Sequence, residues 1–300
     1  MDKINLARQP SLVQDAQIEP ANKFTVQLGK LLPALLRHAI LIFFTAIILY
    51  PVLWMIFASF KTPGEVINNV WGLPSALNLE SYVSAWARAR LGSALLNSLF
   101  VSVGTVLLVI ALSSIAGYAF AKFNFRFRVV ILLIFIFTMQ APTPVIPLYV
   151  LFVRLGLTDS YLGLILGMAA GGVPLSIFIF QAYFRSIPGE LREAAKIDGC
   201  SELAAFLRVI LPISGPAVAT VAILQFVGAW NDFFLSLLLI RSPEMRTVPL
   251  ALQVFFYEFG RVEWNSVFAA LSIGTVPMCL LYLMLQRWFI QGLTAGSLKG

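Results

Sequence analysis

Glu193-Ala-Ala-Lys-Ile-Asp-Gly-Cys-Ser-Glu-Leu-Ala-Ala-Phe-Leu-Arg-Val-Ile-Leu-Pro212 is a polar, small-residue stretch set between two long apolar segments. Its spacing predicts two short helices in sequence. Pro188 suits a first helical turn, and Glu190 complements the positive end of a helix dipole. Leu191, Ala194, Ala195 and Asp198 follow i, i+3, i+4, i+7 spacing, which puts both alanines on one face. Gly199 can take positive φ and turn the chain. Ser201 then fits the N-cap of the second helix, with Glu202 in its first turn. Pro212 and Pro216 mark re-entry into the next apolar segment. An amphipathic helix lying on lipid would account for the charges, but not for two stacked alanines beside Asp-Gly. A docking surface for something outside the membrane accounts for both.

Outward from this stretch the chain is a membrane protein by composition. It is 59% hydrophobic and 12% charged, with a mean hydropathy of +0.88, well above an ordinary soluble domain. A helical span needs about 20 mainly apolar residues, and six segments qualify: about 39–60, 95–121, 129–153, 162–184, 209–232 and 267–290. Backbone groups in lipid must be satisfied within the segment, so the fold class is an all-α integral membrane protein. The expected layout is a tail over 1–38, a six-span domain over 39–290 with a charged loop at 185–212, and a second tail over 291–300. The first tail carries Asp2, Asp15 and Glu19 and no apolar core, so it reads as cytosolic rather than as a signal peptide. With both termini inside, Lys and Arg favour the inner loops two to one. That topology explains the net charge of +7 without nucleic acid. Trp71, Trp230 and Trp264 fall near the outer boundary, where an aromatic belt is expected.

The pattern E-A-A-x-x-D-G over Glu193–Gly199, then Phe206, Ile210-Leu-Pro212 and Pro216, resembles the cytoplasmic coupling loop of permease subunits of bacterial ABC importers. More narrowly it resembles the carbohydrate-importing branch. The resemblance implies a type I importer permease fold in the bacterial inner membrane. It also implies a second permease subunit, two ATPase subunits that bind the ATP and Mg, an extracytoplasmic sugar-binding protein, and an oligosaccharide or related substrate. On this reading Glu193, Ala194, Ala195, Asp198, Gly199, Phe206 and Pro212 contact the ATPase. Glu193 would pair with a cation, and Ala194, Ala195 and Gly199 would fit the cleft. Cys200 stands where the family usually has a small residue such as Ala. The end of the chain, Gly292-Leu-Thr-Ala-Gly-Ser-Leu-Lys-Gly300, holds three glycines in nine residues, which disfavours helix and favours an extended insert. It resembles the tail of the smaller maltose-importer permease, which implies ATPase contacts through Leu293, Thr294, Ala295 and Gly296.

Other features carry less. Asn231 and Asp232 fall about 30 Å of helix from Pro212, where they either line the pathway or satisfy backbone groups at the boundary. Pro142, Pro144 and Pro147 break the third span, as a path-lining break or a packed kink. Gly163, Gly167 and Gly171 form a small-residue face for close helix contact. Nothing matches G-x-x-x-x-G-K-[ST], a catalytic triad or a metal-ligand cluster, so the chain reads as a transport subunit rather than an enzyme, with no cofactor or metal of its own. The rival is an ion-coupled secondary transporter, which usually shows intramembrane acids. Here Asp232 is the one acid within a proposed span.

Overall fold

In the computed structural model the described residues are 23–140, 144–257 and 262–297. All their regular structure is helical. The elements are α1 (Lys23–Ser59), α2 (Pro63–Asn68), α3 (Glu80–Arg88), α4 (Leu91–Lys122), α5 (Arg128–Gln140), α6 (Val145–Arg154), α7 (Tyr161–Ser186) and α8 (Gly189–Ile197). They continue as α9 (Glu202–Ile213), α10 (Gly215–Trp230), α11 (Phe234–Leu239), α12 (Val248–Ala251), α13 (Val254–Tyr257) and α14 (Trp264–Ser297). Among the described residues four helices are long and apolar enough to cross a bilayer alone. The count reaches six when two bent pairs, α5 with α6 and α9 with α10, are each taken as one span.

Met1–Trp54 and Met55–Gly300 are separate compact units. In the first, α1 begins at Lys23, inside the stretch the sequence assigns to a tail, and residues 35–53 are all exposed. Residues 1–22 of that tail lie outside the described residues.

In the second unit α4 is central. It packs along α7 and α10, and α14 packs against α10 and α3. The face α4 turns inward is small and polar: Ser98, Ser102, Thr105, Ser113, Ser114 and Gly117 are buried. Small side chains let helices approach closely in lipid, where no hydrophobic force drives them together. The tightest approach is at Gly117, where a Cβ would lie 2.7 Å from Phe180 Cβ and 3.1 Å from the Gln181 nitrogen. Gly117→Val should therefore push α4 off α7, costing about 1–3 kcal/mol by overpacking. The check is the melting temperature of the purified protein, with exposed Gly171→Ala as a neutral control. The Gly163/Gly167/Gly171 face expected to make close helix contact does not do so as a unit. Gly163 abuts its own Leu157 carbonyl, Gly167 meets Leu235 and Phe152, and Gly171 faces open space.

Four further expectations are corrected. The third span is two helices whose axes differ by 108°. Pro144 sits at the N-cap of α6 and Pro147 in its first turn, so neither removes a donor that a helix could use; Pro142 lies outside the described residues. The fifth span is not one straight helix, because the chain bends by 77° between α9 and α10. Trp230 is not a belt residue: it is 3% exposed and stacks on Phe226 at 5.6 Å. Trp71 and Trp264 are exposed, as a belt requires. Finally, α14 runs through Gly292 and Gly296 to Ser297, so the tail is helical and not extended. Each glycine costs a helix about 1 kcal/mol, but extending an existing helix adds one hydrogen bond per residue fixed. Residues 298–300 lie outside the described residues.

Candidate functional site

The decisive stretch folds as two short capped helices, each with one face exposed and one buried. Pro188 is the N-cap of α8 rather than its first turn, with Glu190 in that turn. The helix ends as the sequence requires. Gly199 has φ +82°, its N–H donates to the Lys196 carbonyl and the Cys200 N–H to the Ala195 carbonyl, both at 3.0 Å. These are the two bonds of a Schellman ending. Ser201 then caps α9, its hydroxyl accepting from the Ala204 N–H at 3.2 Å.

The two alanines do not share a face toward solvent. Ala195 is 5% exposed, while Ala194 is open. Adjacent residues are about 100° apart on a helix, so one alanine seats α8 on the protein and the other looks out. Glu193, Ala194, Asp198 and Gly199 are exposed together with Ile197, which is 87% exposed. Pro212 is exposed at the end of α9. Phe206 is placed elsewhere: it is 2% exposed, 4.8 Å from the Tyr118 ring and 6.0 Å from that of Phe184. It fastens α9 to the bundle and presents nothing to a partner.

Beneath the exposed face lies a hub that spacing does not reveal. Arg192 clamps Glu202 through Nε to Oε1 at 2.6 Å and Nη2 to Oε2 at 3.0 Å. Lys196 Nζ reaches Oε2 at 2.7 Å, and the Tyr118 hydroxyl donates to Oε1 at 2.6 Å. In this loop, outside the spans, the Arg192 guanidinium above all holds the Glu202 carboxyl down to about 2. Two more ties join the same helix end: Arg192 lies over the Phe123 ring at 5.2 Å, and Lys122 Nζ donates to the Ile187 carbonyl at 2.9 Å. The last turn of α4 thus grips both docking helices. Arg192, Lys196 and Glu202 could be paired from the sequence, but Tyr118, 84 positions before Glu202, could not.

From the hub, α9 leads to the elbow. Residues Phe206–Ile210 form a π turn, closed by the Leu211 N–H to the Phe206 carbonyl. Pro212 and Pro216 supply no N–H donors, and the bend falls between them at Ser214. Its buried hydroxyl donates to the Ile210 carbonyl at 2.7 Å.

At the far end of α10 a cleft of about 480 Å³ opens between α4, α7, α10 and α11. Thr105, Gln225 and Asp232 are its polar lining, with Gly171, Gly172 and Gly228. Gln225 Nε2 donates to Ser176 Oγ at 3.1 Å. Asp232 Oδ1 accepts from the N–H groups of Leu235 and Ser236 at 3.0 and 3.1 Å. Asp232 therefore both satisfies the start of α11 and lines the cleft. Asn231 turns back, donating to its own helix at the Val227 carbonyl. On the same end Asp159 accepts from the Arg241 and Ser242 N–H groups at 3.0 and 2.9 Å. The Ser242 hydrogen bonds foremost hold its carboxyl below the usual range.

The family described as "Binding-protein-dependent transport system inner membrane component" matches residues 109–295. The chain is 36% identical to a sulfoquinovosyl glycerol transport system permease protein of Agrobacterium fabrum, over 84% of this chain and 89% of that one. It is 34% identical to an arabinooligosaccharides transport system permease protein of Halalkalibacterium halodurans, over 86% and 94%. It is 33% identical to a trehalose/maltose transport system permease protein of Thermococcus litoralis, over 85% and 92%. In fold it is similar to a chain from the crystal structure of a bacterial ABC transporter involved in alginate import. That likeness has a TM-score of 0.75, 23% identity, and coverage of 87% of this chain and 98% of that one.

Proposed function

The chain belongs to the inner membrane component family of binding-protein-dependent transport systems, and from that membership we propose that it is one of two permease subunits of an ATP-driven sugar importer. It is a multi-pass membrane protein of the type I importer permease fold and a transport component rather than an enzyme. The ion-coupled alternative has no support in the family or the fold. The remaining assembly is proposed: a second permease beside this one, an ATPase dimer that binds ATP and Mg, and a sugar-binding protein outside. The bias of Lys and Arg supports termini on the ATPase side. The substrates for which these relatives are named are glycosides or glycoside-like compounds, which supports an oligosaccharide or related sugar here.

The observation that carries the reading is the division of labour in residues 189–213. One face, Glu193, Ala194, Ile197, Asp198 and Gly199, is exposed. The other is tied to α4 through Glu202, Arg192 and Phe206. A partner pushing on such a face moves the bundle rather than a loop. The ATPase then closes on ATP, displaces α8 and α9, and turns the elbow at Ser214, beyond which α10 lines the cleft. The C-terminal turn with Leu293, Thr294, Ala295 and Gly296 is proposed as a second ATPase contact. Asp232, with Gln225 and Thr105, is proposed to line the sugar path; Asn231 would flank it.

Reversing the exposed charge tests the docking assignment. In Glu193→Lys a charge-assisted contact worth about 1.5–3 kcal/mol is replaced by repulsion. ATPase recovered with the affinity-tagged permease should fall about tenfold or more, with membrane insertion unchanged. Wild-type recovery and transport would remove Glu193 from the contact.

A further inference from the structure

Between α4 and α5 lies Phe123-Asn-Phe-Arg-Phe-Arg128, in which aromatics alternate with Asn and Arg. The link joins the end of α4, which is long enough to cross a bilayer, to the start of the bent pair α5 and α6, which puts it at the membrane surface. Phe125 and Phe127 are 39% and 61% exposed. Phe125 rests on Phe120 at 5.4 Å, but Phe127 projects from a backbone held at φ +67°. That region is disfavoured for a bulky residue and persists only where the surroundings impose it. The Arg126 guanidinium lies 5.2 Å from the Phe127 ring, and among the described residues neither Arg126 nor Arg128 has a carboxylate partner. Arg128 donates to Asn124 Oδ1 at 2.9 Å, which orients it across the link.

We infer that residues 123–128 form a binding site for an anionic phospholipid, with Phe127 in the acyl boundary and Arg126 and Arg128 on the headgroup phosphate. The chemistry selects a lipid over free phosphate because the cations flank an exposed ring at the depth where headgroups lie. Guanidinium groups match phosphate oxygens in a two-pronged geometry. The site is joined to the docking helices: Phe123 carries Arg192 on its ring, and Lys122 holds the Ile187 carbonyl. A lipid that orders this link therefore also orders α8. That second step rests on the docking reading; the lipid site does not.

The experiment uses the full transporter in nanodiscs of phosphatidylcholine with or without phosphatidylglycerol, followed by mild extraction and native mass spectrometry. Wild type should retain phosphatidylglycerol in preference to phosphatidylcholine. Each basic group near an anionic surface contributes about fivefold, so Arg126→Gln with Arg128→Gln should lower retention about twenty-five-fold. Phe127→Gly relieves the positive φ and so keeps the fold, yet should lose retention through the missing ring. Equal retention of the two lipids by wild type, or undiminished phosphatidylglycerol in the double variant, would overturn the site. ATPase stimulation in the two nanodisc types reads the link to α8 separately. Stimulation that ignores lipid while retention follows it would confine the proposal to binding and refute the link.

Discussion

Glu202→Ala is expected to blunt the stimulation of ATP hydrolysis by substrate while leaving the chain inserted in the membrane. The carboxylate is the common partner of Arg192, Lys196 and Tyr118. Its removal leaves two cations and a hydroxyl facing one another and loosens α8 from α9, with the Phe123 and Lys122 contacts still holding the start of α8 to α4. A hydrogen bond to a charged group contributes about 1.5–3 kcal/mol, and the partial exposure of the cluster reduces that. A loss of about 1–2 kcal/mol in loop anchoring corresponds to about five- to thirtyfold. Substrate-stimulated ATPase activity of the reconstituted complex should fall by that factor while ATPase stoichiometry is kept, since Glu193 and its neighbours remain in place. Glu202→Gln should fall between, keeping an acceptor for Tyr118 but no charge for Arg192. Tyr118→Phe should be mild alone and non-additive with Glu202→Ala, as members of one network are. Wild-type stimulation in Glu202→Ala would show that the hub does not transmit.

The second large effect is expected at Gly199, and it comes from backbone alone. A Cβ there would meet nothing within 4 Å, yet φ is +82°. No steric neighbour confuses the outcome, so residue type should follow the cost of the left-handed region. Asn should be nearly tolerated, Ala should cost about 1–2 kcal/mol, and a β-branched Val more. Because this turn sets where α9 departs from α8, the same order should appear in transport: Gly, then Asn, Ala and Val. The measurement is uptake into proteoliposomes at matched ATPase content. A flat series would mean the Schellman ending is replaceable.

What could be read from the sequence was what local chemistry determines. Gly199, Ser201 and the first-turn acids Glu190 and Glu202 sit as their types demand, because caps and turns are settled within a few residues. Apolar length found the spans but not their bends: prolines near 144 and 212 announce trouble, whereas the angle depends on what packs beside them. Ala194 and Ala195 were grouped by spacing, though only a partner surface decides which one is covered. Phe206 shows the same limit. Its place in the motif points to an ATPase, while its ring is taken by Tyr118 and Phe184. The glycine-rich tail was read from intrinsic preference, which a long preceding helix overrides through α14. Tyr118 joins Glu202 across 84 positions, and no local pattern records so distant a pairing.

The π turn at Phe206–Ile210 makes the element that carries it sensitive to phase. It holds one residue more than a plain α-helical turn would place between the anchor ring and the proline corner. The wide turn absorbs that residue, which would otherwise rotate everything downstream by about 100°. Phe206 and Ile210, both sealed in one cluster, therefore face inward together, and the corner at Ser214 keeps its direction. Length here acts as a timing mark. Substitutions that keep the count can vary the side chains, whereas an insertion or deletion that the turn does not absorb resets the angle between the docking helices and α10.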